Sequence, residues 1–274
     1  MNRLESAILA SSRKPLLGAS IYFYNPIFVE MAAHLGFDVI WIEMEHAFIT
    51  FAEAADLCRM ATGHKLLTMI RIPDSRRETV LKAAECGPDI IDLPMVNSAA
   101  QIRELLNWAL FPPAGHRGFF SVSRSLHYGL VENVSVEQQK LNQELSLLVQ
   151  VETAEALNQI EEFCSIDGVN LFIGPADLSA SLGVPGQTTH PKVIEAIRHV
   201  VATAKRFGKR VATAVNHNDA GPWIELGVDL VFCANDIVAL RTGAATAIQE
   251  TRKKIAEINA GAGGEIDREC KASR

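Results

Sequence analysis

Two acidic residues of this chain follow apolar segments at a spacing that could bring them to one point. Glu152 and Asp177 lie 25 residues apart, which is one strand-helix repeat, and each comes shortly after an apolar run. Two carboxylates without nearby Cys or His ligands suit a hard divalent cation, Mg²⁺ or Mn²⁺ with Co²⁺ as a further option, better than zinc. The same spacing is equally compatible with two acids that cap the helices following them.

A histidine and an arginine also come at the ends of apolar runs. His46 follows Glu45 directly, and its ordinary pKa near neutrality suits a general base, although a hydrogen-bonded rim histidine has the same pattern. Arg71 ends a run where an unpaired guanidinium would be costly. It must therefore meet an anion, either a structural carboxylate such as Glu45 or a carboxylate or enolate of a substrate.

Other catalytic groups are missing from the positions where they would be needed. The chain has no Gly-x-Ser-x-Gly motif for a serine nucleophile. The lysines Lys65, Lys82, Lys205 and Lys209 come before apolar runs or within helical segments, where they could not form an imine with a substrate. If this protein stabilises a carbanion, we expect it to use a metal ion.

The elements that must position these residues are eight short apolar runs separated by helical segments. Most of the runs are continuous rather than alternating, which is typical of parallel strands covered on both faces. The runs are Leu16–Ile21, Val39–Ile42, Leu67–Ile70, Ile90–Leu93, Leu147–Val151, Leu171–Ile173, Arg210–Val215 and Leu230–Cys233. Eight strand-helix units predict an α/β fold, a (β/α)8 TIM barrel, whose chemistry lies at the carboxyl ends of the strands.

Local signals add detail to this prediction. Three pairs predict capping boxes at helix starts: Thr50 with Glu53, Ser75 with Glu78, and Ser98 with Gln101. Residues 111–144 exceed a minimal unit and predict an insertion between the fourth and fifth strands. We expect one barrel domain over residues 1–259 and a disordered tail over residues 260–274.

Composition excludes several classes of protein. The chain has 274 residues, 48% hydrophobic, and its 26 Lys and Arg against 32 Asp and Glu give a net charge of −6 at pH 7. This balance argues against nucleic acid and against a polybasic membrane contact. No apolar run approaches the roughly 20 residues of a membrane-spanning helix. We therefore expect a cytoplasmic protein without a membrane or nucleic-acid partner.

Several longer motifs resemble those of a known family. They are the segments 36–47, 93–96, 111–118, 148–152 and 172–179, which include Leu148-Val149-Gln150-Val151-Glu152 and Gly174-Pro175-Ala176-Asp177-Leu178-Ser179. In matching order over about residues 16–240, they resemble the 4-hydroxy-2-oxoheptanedioate aldolase family. These enzymes are metal-dependent pyruvate aldolases of the citrate lyase and phosphoenolpyruvate-pyruvate barrel superfamily.

The resemblance implies a metal and substrate site. Glu152 and Asp177 would hold the metal ion, and Gln150 with the backbone of Ala176 and Asp177 would bind the pyruvate part of the substrate. A 4-hydroxy-2-oxo acid would be cleaved reversibly to pyruvate and an aldehyde through a metal-bound pyruvate enolate. The resemblance also implies a homo-oligomer, a hexamer with active sites at its interfaces.

The resemblance further implies the catalytic groups. His46 would be the base and Arg71 would steady the enolate, while Glu85 would stand where the family has the aspartate that raises the basicity of the histidine. Where the family usually has Asp-Gly-Glu-His, this chain has Glu43-Met44-Glu45-His46. The alternatives are an acyl-CoA lyase or an oxaloacetate decarboxylase on the same metal site, and a barrel that binds ligands without catalysis.

Overall fold

The barrel predicted from the apolar runs is the architecture of the protein. The computed structural model describes residues 2–12 and 15–272, with side chains described as far as Asn259. Eight parallel strands form a closed barrel in the order in which they occur along the chain. They are β1 (Leu16–Ile21), β2 (Val39–Glu43), β3 (Leu67–Arg71), β4 (Ile90–Leu93), β5 (Ser146–Val151), β6 (Val169–Ile173), β7 (Val211–Ala214) and β8 (Leu230–Asn235). The predicted (β/α)8 fold is confirmed.

Helices alternate with the strands. They are α1 (Arg3–Ala10), α2 (Pro26–Leu35), α3 (Phe51–Gly63), α4 (Arg77–Glu85), α5 (Ala99–Ala109), α6 (Val134–Glu144), α7 (Ala154–Asn158), α8 (Ile160–Ser165), α9 (Pro175–Ser181), α10 (Pro191–Arg206), α11 (Ala220–Leu226) and α12 (Asp236–Ala272). Short 3-10 helices cover Arg124–Gly129 and His217–Asp219. In the part of the chain described, no helix is long and apolar enough to cross a membrane.

The chain forms two compact units, residues 1–234 and 235–274. The first contains nearly all of the barrel strands, and the second consists mainly of α12. One barrel domain over residues 1–259 was predicted from sequence. That division and the predicted disordered tail, residues 260–274, stay predictions, because the side chains after Asn259 lie outside the described residues.

Aromatic rings fill the interior of the barrel below the site. Trp41 of β2 packs edge-to-face against Phe172 of β6 and Phe232 of β8, with ring centroids 5.2 and 5.1 Å apart. Gly18 of β1 leaves the room for this packing, since a Cβ atom there would come within 2.2 Å of the Phe232 ring. The barrel interior is therefore a packed core, as expected for this fold.

The predicted helix starts are confirmed in two cases and wrong in one. Thr50 and Glu53 form the capping box of α3, and the Ser98 side chain accepts the Gln101 N–H at the start of α5. Ser75 does not cap α4, which begins at Arg77 without a side-chain cap. The Ser75 hydroxyl instead donates to Glu104 Oε2 of the neighbouring helix α5 at 2.7 Å, so a tertiary partner replaces the local one.

The predicted insertion between β4 and β5 is present. After α5 the chain runs through an irregular stretch and the first 3-10 helix before α6 leads into β5. Asn142 of α6 ties this segment back to its start, because its side chain accepts the Phe111 N–H and donates to the Phe111 carbonyl oxygen. The insertion is thus an ordered part of the first unit.

Candidate active site

A cavity of about 470 Å³ opens at the carboxyl ends of the strands. It is lined by all but one of the site residues predicted from sequence: His46, Arg71, Gln150, Glu152, Ala176 and Asp177. Aromatic side chains, Tyr22, Trp41, Phe172 and Trp223, form much of the remaining wall. The residues come from loops and strand ends that are far apart in sequence, and barrel closure brings them together.

Arg71 has side-chain oxygen atoms of three residues close to its guanidinium nitrogens. Its Nε lies 2.8 Å from Glu43 Oε2, its Nη2 lies 2.8 Å from Glu45 Oε2, and its Nη1 donates to Gln150 Oε1 at 3.4 Å. Burial acts to lower the pKa of Arg71, but the charges of the neighbouring carboxylates outweigh it and raise that pKa. Of the two partners predicted for Arg71, structural carboxylates are present, and its remaining N–H groups stay available for a substrate oxygen.

Glu43 links Arg71 to the loop that carries His46. It is fully buried and pairs in register with Arg71 across β2 and β3. Its second oxygen, Oε1, accepts the backbone N–H groups of Glu45 at 2.7 Å and His46 at 3.0 Å. One carboxylate therefore orients both the guanidinium and the backbone of the histidine loop, a role that the sequence alone does not indicate.

His46 lies at the mouth of the cavity with its side chain 62% exposed. Its Nε2 lies 3.6 Å from Glu45 Oε2, the same oxygen that pairs with Arg71. Burial raises the pKa of Glu45, against the opposing effects of the Arg71 and His46 charges. Among the described residues, the acid within ion-pair distance of His46 is thus Glu45.

Glu85 is the predicted site residue that the structure does not bring to the cavity. It is the last residue of α4. Because this helix returns from the end of β3 to the start of β4, its final residue lies at the amino end of the barrel, opposite His46. The charge of Glu85 acts there on Arg117 and Cys86. Its role as the acid paired with His46 stays a prediction.

Glu152 is positioned by backbone on both sides. Its Oε1 accepts the Met95 N–H at 2.6 Å. Val151 and Ile173 are register partners, so the residues that follow them, Glu152 and Gly174, lie side by side. A Cβ atom on Gly174 would come within 2.5 Å of Glu152 Oε2, so glycine is required for this close approach.

The charge of Glu152 is poorly compensated by the protein. Burial raises the pKa of Glu152 to about 7 and the nearby Asp177 carboxylate adds to this, while the Met95 N–H and the Arg71 charge oppose it. Asp177 lies in the first turn of α9. In residues 2–12 and 15–259, neither carboxylate has a Lys, Arg or His partner within ion-pair distance. A cation bound between the two would relieve this repulsion.

The donor set fits a hard divalent cation. Among the described residues, no group of three or more His, Cys, Asp or Glu side chains is arranged around a metal position. Two carboxylates would therefore be joined by water and substrate oxygens, which is how Mg²⁺ is commonly held in proteins. The alternative that the two acids only cap helices is not supported for Glu152, because Thr153 is the residue that caps α7.

A buried acid in the site region was missed by the sequence analysis. Asp92 on β4 is fully buried beside the site, and Gln150 Nε2 donates to its Oδ2. Burial raises the pKa of Asp92 well above its ordinary range, although the Arg71 charge and the Gln150 hydrogen bond oppose this. The available signal was a single acid within the apolar run Ile90–Leu93, where burial is otherwise expected.

Comparison with known proteins agrees with this geometry. Residues 21–255 match the model of the family described as HpcH/HpaI aldolase/citrate lyase. The chain belongs to the HpcH/HpaI aldolase family. Enzymes of this family cleave 2-oxo acids to pyruvate and an aldehyde, and they generally depend on a divalent metal ion. The family and the lyase class predicted from sequence are confirmed.

Two relatives and one solved structure illustrate how similar this HpcH/HpaI chain is to known members. A hydroxypyruvate/pyruvate aldolase of Sagittula stellata is 36% identical over 76% of this chain and 80% of its own length. A 2-keto-3-deoxy-L-rhamnonate aldolase of Klebsiella pneumoniae is 35% identical over 66% of this chain and 67% of its own length. The crystal structure of an HpcH/HpaI aldolase from Desulfitobacterium hafniense has a TM-score of 0.84 at 29% identity, covering 92% of this chain and 97% of that chain.

Proposed function

We propose that this HpcH/HpaI family member is a metal-dependent aldolase that reversibly cleaves a 4-hydroxy-2-oxo acid to pyruvate and an aldehyde. The observation that carries the proposal is the pair Glu152 and Asp177, two carboxylates without a cationic partner from the described chain, in one cavity with an oriented Arg71. The relatives named above are aldolases, which favours this reaction over an acyl-CoA lyase or an oxaloacetate decarboxylase.

Glu152 and Asp177 would hold Mg²⁺ or Mn²⁺, with Co²⁺ as a further option, because their oxygens are the donors that hard cations prefer. When bound there, the cation supplies positive charge where negative charge develops on the 2-oxo oxygen of the substrate. Gly174 supports this role by allowing Glu152 to lie against the end of β6.

The pyruvate part of the substrate would be bound by groups fixed in advance. Arg71 carries five N–H groups and has three neighbouring side-chain oxygens, so it keeps N–H groups that can donate to a carboxylate or an enolate oxygen. Ala176 and Asp177 lie in the first turn of α9, where backbone N–H groups lack partners within the helix. Gln150 adds a side-chain amide on the same wall.

His46 would accept the proton of the 4-hydroxyl group on its ring, either directly or through one water molecule. Its exposure at the mouth suits a base that must reach the departing aldehyde and then release the proton to solvent. Glu45 Oε2, 3.6 Å away, would stabilise the protonated ring. The loop is held in place for this task by the hydrogen bonds of Glu43 to its backbone.

Glu85 can act on His46 only across an interface between subunits, because the two lie at opposite ends of one barrel. The predicted hexamer with interfacial active sites would supply such an interface. This assembly, like the predicted cytoplasmic location, is a part of the proposal that sedimentation and fractionation can test.

The wall around the aldehyde carries hydrogen-bonding groups in addition to aromatic ones. Thr188, Asn216 and Asp219 line the cavity together with Tyr22. An acid on this wall disfavours an aldehyde that carries a carboxylate, since like charges repel. We therefore expect a neutral, hydroxylated aldehyde, and a panel of 4-hydroxy-2-oxo acids that differ only in their distal group would test this.

The test of the function is pyruvate release, measured through a coupled lactate dehydrogenase assay with Mg²⁺ or Mn²⁺ present. Glu152→Gln should lower turnover on the order of a thousandfold, because a metal ion contributes several kcal/mol of charge stabilisation. Glu155→Gln is the matched control, since Glu155 undergoes the same change on the exposed surface of α7 three residues away. Undiminished turnover of Glu152→Gln, or wild-type protein that releases no pyruvate from any 2-oxo acid, would overturn the proposal.

A further inference from the structure

A buried carboxyl group lies behind the site without lining the cavity. Asp92 is the register partner of Arg71 on β3 and of Leu148 on β5. Alternate residues of a strand face the same side, so Gln150 lies on the same inner face as Leu148, one step nearer the mouth. Asp92 therefore sits next to two residues of the substrate wall, Arg71 and Gln150.

Two residues contact the amide group of Gln150, one at its oxygen and the other at its nitrogen. Arg71 has only N–H donors, so the amide must turn its oxygen toward the guanidinium, as it does at 3.4 Å. Asp92 Oδ2 accepts from the amide nitrogen. The Arg71 contact is long for a hydrogen bond, so the contact with Asp92 is the stronger constraint on the amide.

The orientation of this amide decides what the substrate meets. An amide nitrogen carries two N–H groups, and in the described residues only one of those of Gln150 has a partner, Asp92. The side chain of Gln150 lines the cavity. In the observed orientation the second N–H is a donor for a carboxylate or 2-oxo oxygen. A flipped amide would instead present a carbonyl oxygen, which repels such a ligand.

Asp92 has no competing task among the described residues. Its other oxygen, Oδ1, is buried without a hydrogen-bond partner. Burial also raises the pKa of Asp92 well above its ordinary range, which favours the neutral acid. A neutral carboxyl group keeps a carbonyl acceptor for Gln150 without adding a further negative charge beside Glu43.

We infer that Asp92 is a positioning residue that sets the amide orientation of Gln150 for binding the carboxylate or 2-oxo oxygen of the substrate. The inference rests on the proposed function, because it assumes that a 2-oxo acid occupies this cavity. Asp92 itself is not among the residues that line the cavity.

The first test compares two variants of Asp92. Asp92→Leu removes the acceptor at similar size, and Asp92→Asn keeps a carbonyl oxygen that can accept from Gln150. We expect Asp92→Leu to raise KM for the 2-oxo acid about tenfold with kcat changed less than about twofold, because binding rather than chemistry is affected. Asp92→Asn should restore most of the lost affinity. An unchanged KM in Asp92→Leu, or no recovery in Asp92→Asn, would overturn the inference.

A double-mutant cycle separates positioning from a general structural role. If Asp92 acts through Gln150, adding Asp92→Leu to Gln150→Leu should change KM no further. If the two KM effects multiply, Asp92 acts independently of Gln150 and the inference is wrong. Thermal unfolding of each variant verifies folding. Calorimetric affinity for Mg²⁺ should stay at the wild-type value, and a weakened affinity would place the effect on Glu152 instead.

Failure of this inference can be distinguished from failure of the proposed function. Pyruvate binding by calorimetry with Mg²⁺ present needs no turnover, and Asp92→Leu should weaken it by the same factor of about ten. If the wild-type enzyme is active and its Asp92 variants bind pyruvate as well as it does, only the inference about Asp92 is wrong. If the wild-type protein neither turns over 2-oxo acids nor binds pyruvate, both the proposed function and the inference about Asp92 are wrong.

Discussion

The two sides of the cavity differ in how the negative charges of their acidic residues are balanced. On the side of β2 and β3, Glu43 and Glu45 both lie 2.8 Å from the guanidinium nitrogens of Arg71. On the side of β5 and β6, Glu152 and Asp177 repel each other, and burial raises the pKa of Glu152 to about 7. On the first side Arg71 balances the two acids, whereas on the second no Lys, Arg or His of the described residues lies within ion-pair distance of either acid.

This difference shows which part of the site is preorganised and which part responds to a ligand. The acids around Arg71 fix its orientation before a substrate arrives, so little reorganisation is needed when an enolate oxygen forms. Glu152 and Asp177 repel each other, and a cation bound between them would replace this repulsion with two attractions. Substitutions on the two sides should therefore affect different quantities.

On the arginine side, we expect the largest effect from a change of Arg71 itself. Arg71→Lys replaces a planar fork with a single ammonium group, which cannot contact Glu43, Glu45 and a substrate oxygen together. We expect kcat to fall about a hundredfold while the affinity for Mg²⁺ changes little. Steady-state kinetics and calorimetry measure the two quantities.

Arg76→Lys is the matched control for this change, because Arg76 is exposed and pairs with Asp74 outside the cavity. Its kinetics should equal those of the wild type. If Arg71→Lys instead abolished Mg²⁺ binding and left kcat intact, the division between the two sides would be wrong.

The raised pKa of Glu152, on the side of β5 and β6, should make the free energy of unfolding depend on pH. Burial raises the pKa of Glu152 from an ordinary 4.5 to about 7, so the folded protein binds this proton more tightly than the unfolded chain. Stability of the metal-free protein therefore falls as pH rises from the lower value through the higher one. The free energy of unfolding can be measured with urea in the presence of a chelator. For Glu152→Gln it should be about 3 kcal/mol higher than for the wild type near pH 8, and almost the same near pH 4.

A gap between Glu152→Gln and the wild type that stays constant across this pH range would show that Glu152 carries no excess charge penalty. Added Mg²⁺ should narrow the gap at the higher pH, since the cation stabilises only the protein that keeps the carboxylate.

A smaller effect is expected from Gly174→Ala. Its methyl group would meet Glu152 Oε2 at 2.5 Å and Glu152 Cβ at 3.0 Å, so the carboxylate must shift. We expect an affinity for Mg²⁺ weakened about tenfold, as for other changes that misorient a ligand. Gly63→Ala at the end of α3 is the control, because its added Cβ meets open space. Equal Mg²⁺ affinity in both variants would remove Gly174 from the support of the site.

Much of this site could be predicted from sequence because the carboxyl ends of the strands can be recognised there. Apolar runs followed at once by Glu43, Arg71 or Glu152 mark the carboxyl ends of strands, and barrel closure places such ends on one rim. The same logic placed His46 and Asp177 at this rim, where both line the cavity. The prediction required only the position of each residue along its own strand-helix unit.

The remaining features depend on contacts between units, which spacing does not encode. The hydrogen bond from Gln150 to Asp92 and the close approach of Gly174 to Glu152 arise from the register between neighbouring strands. Ser75 had a correct capping pattern, but a glutamate on the next helix provided a tertiary alternative. Glu85 was placed by resemblance alone, and its helix ends at the other rim.

The measurement that tests the central claim most directly is a calorimetric titration of the metal-free protein with Mg²⁺ or Mn²⁺, with and without pyruvate. We predict one cation per chain, binding that is tightened by pyruvate, and loss of binding in Glu152→Gln but not in Glu155→Gln. Binding that survives Glu152→Gln, or a wild-type protein that binds neither the cation nor pyruvate, would contradict the assignment of Glu152 and Asp177 as the metal-holding side of an aldolase site.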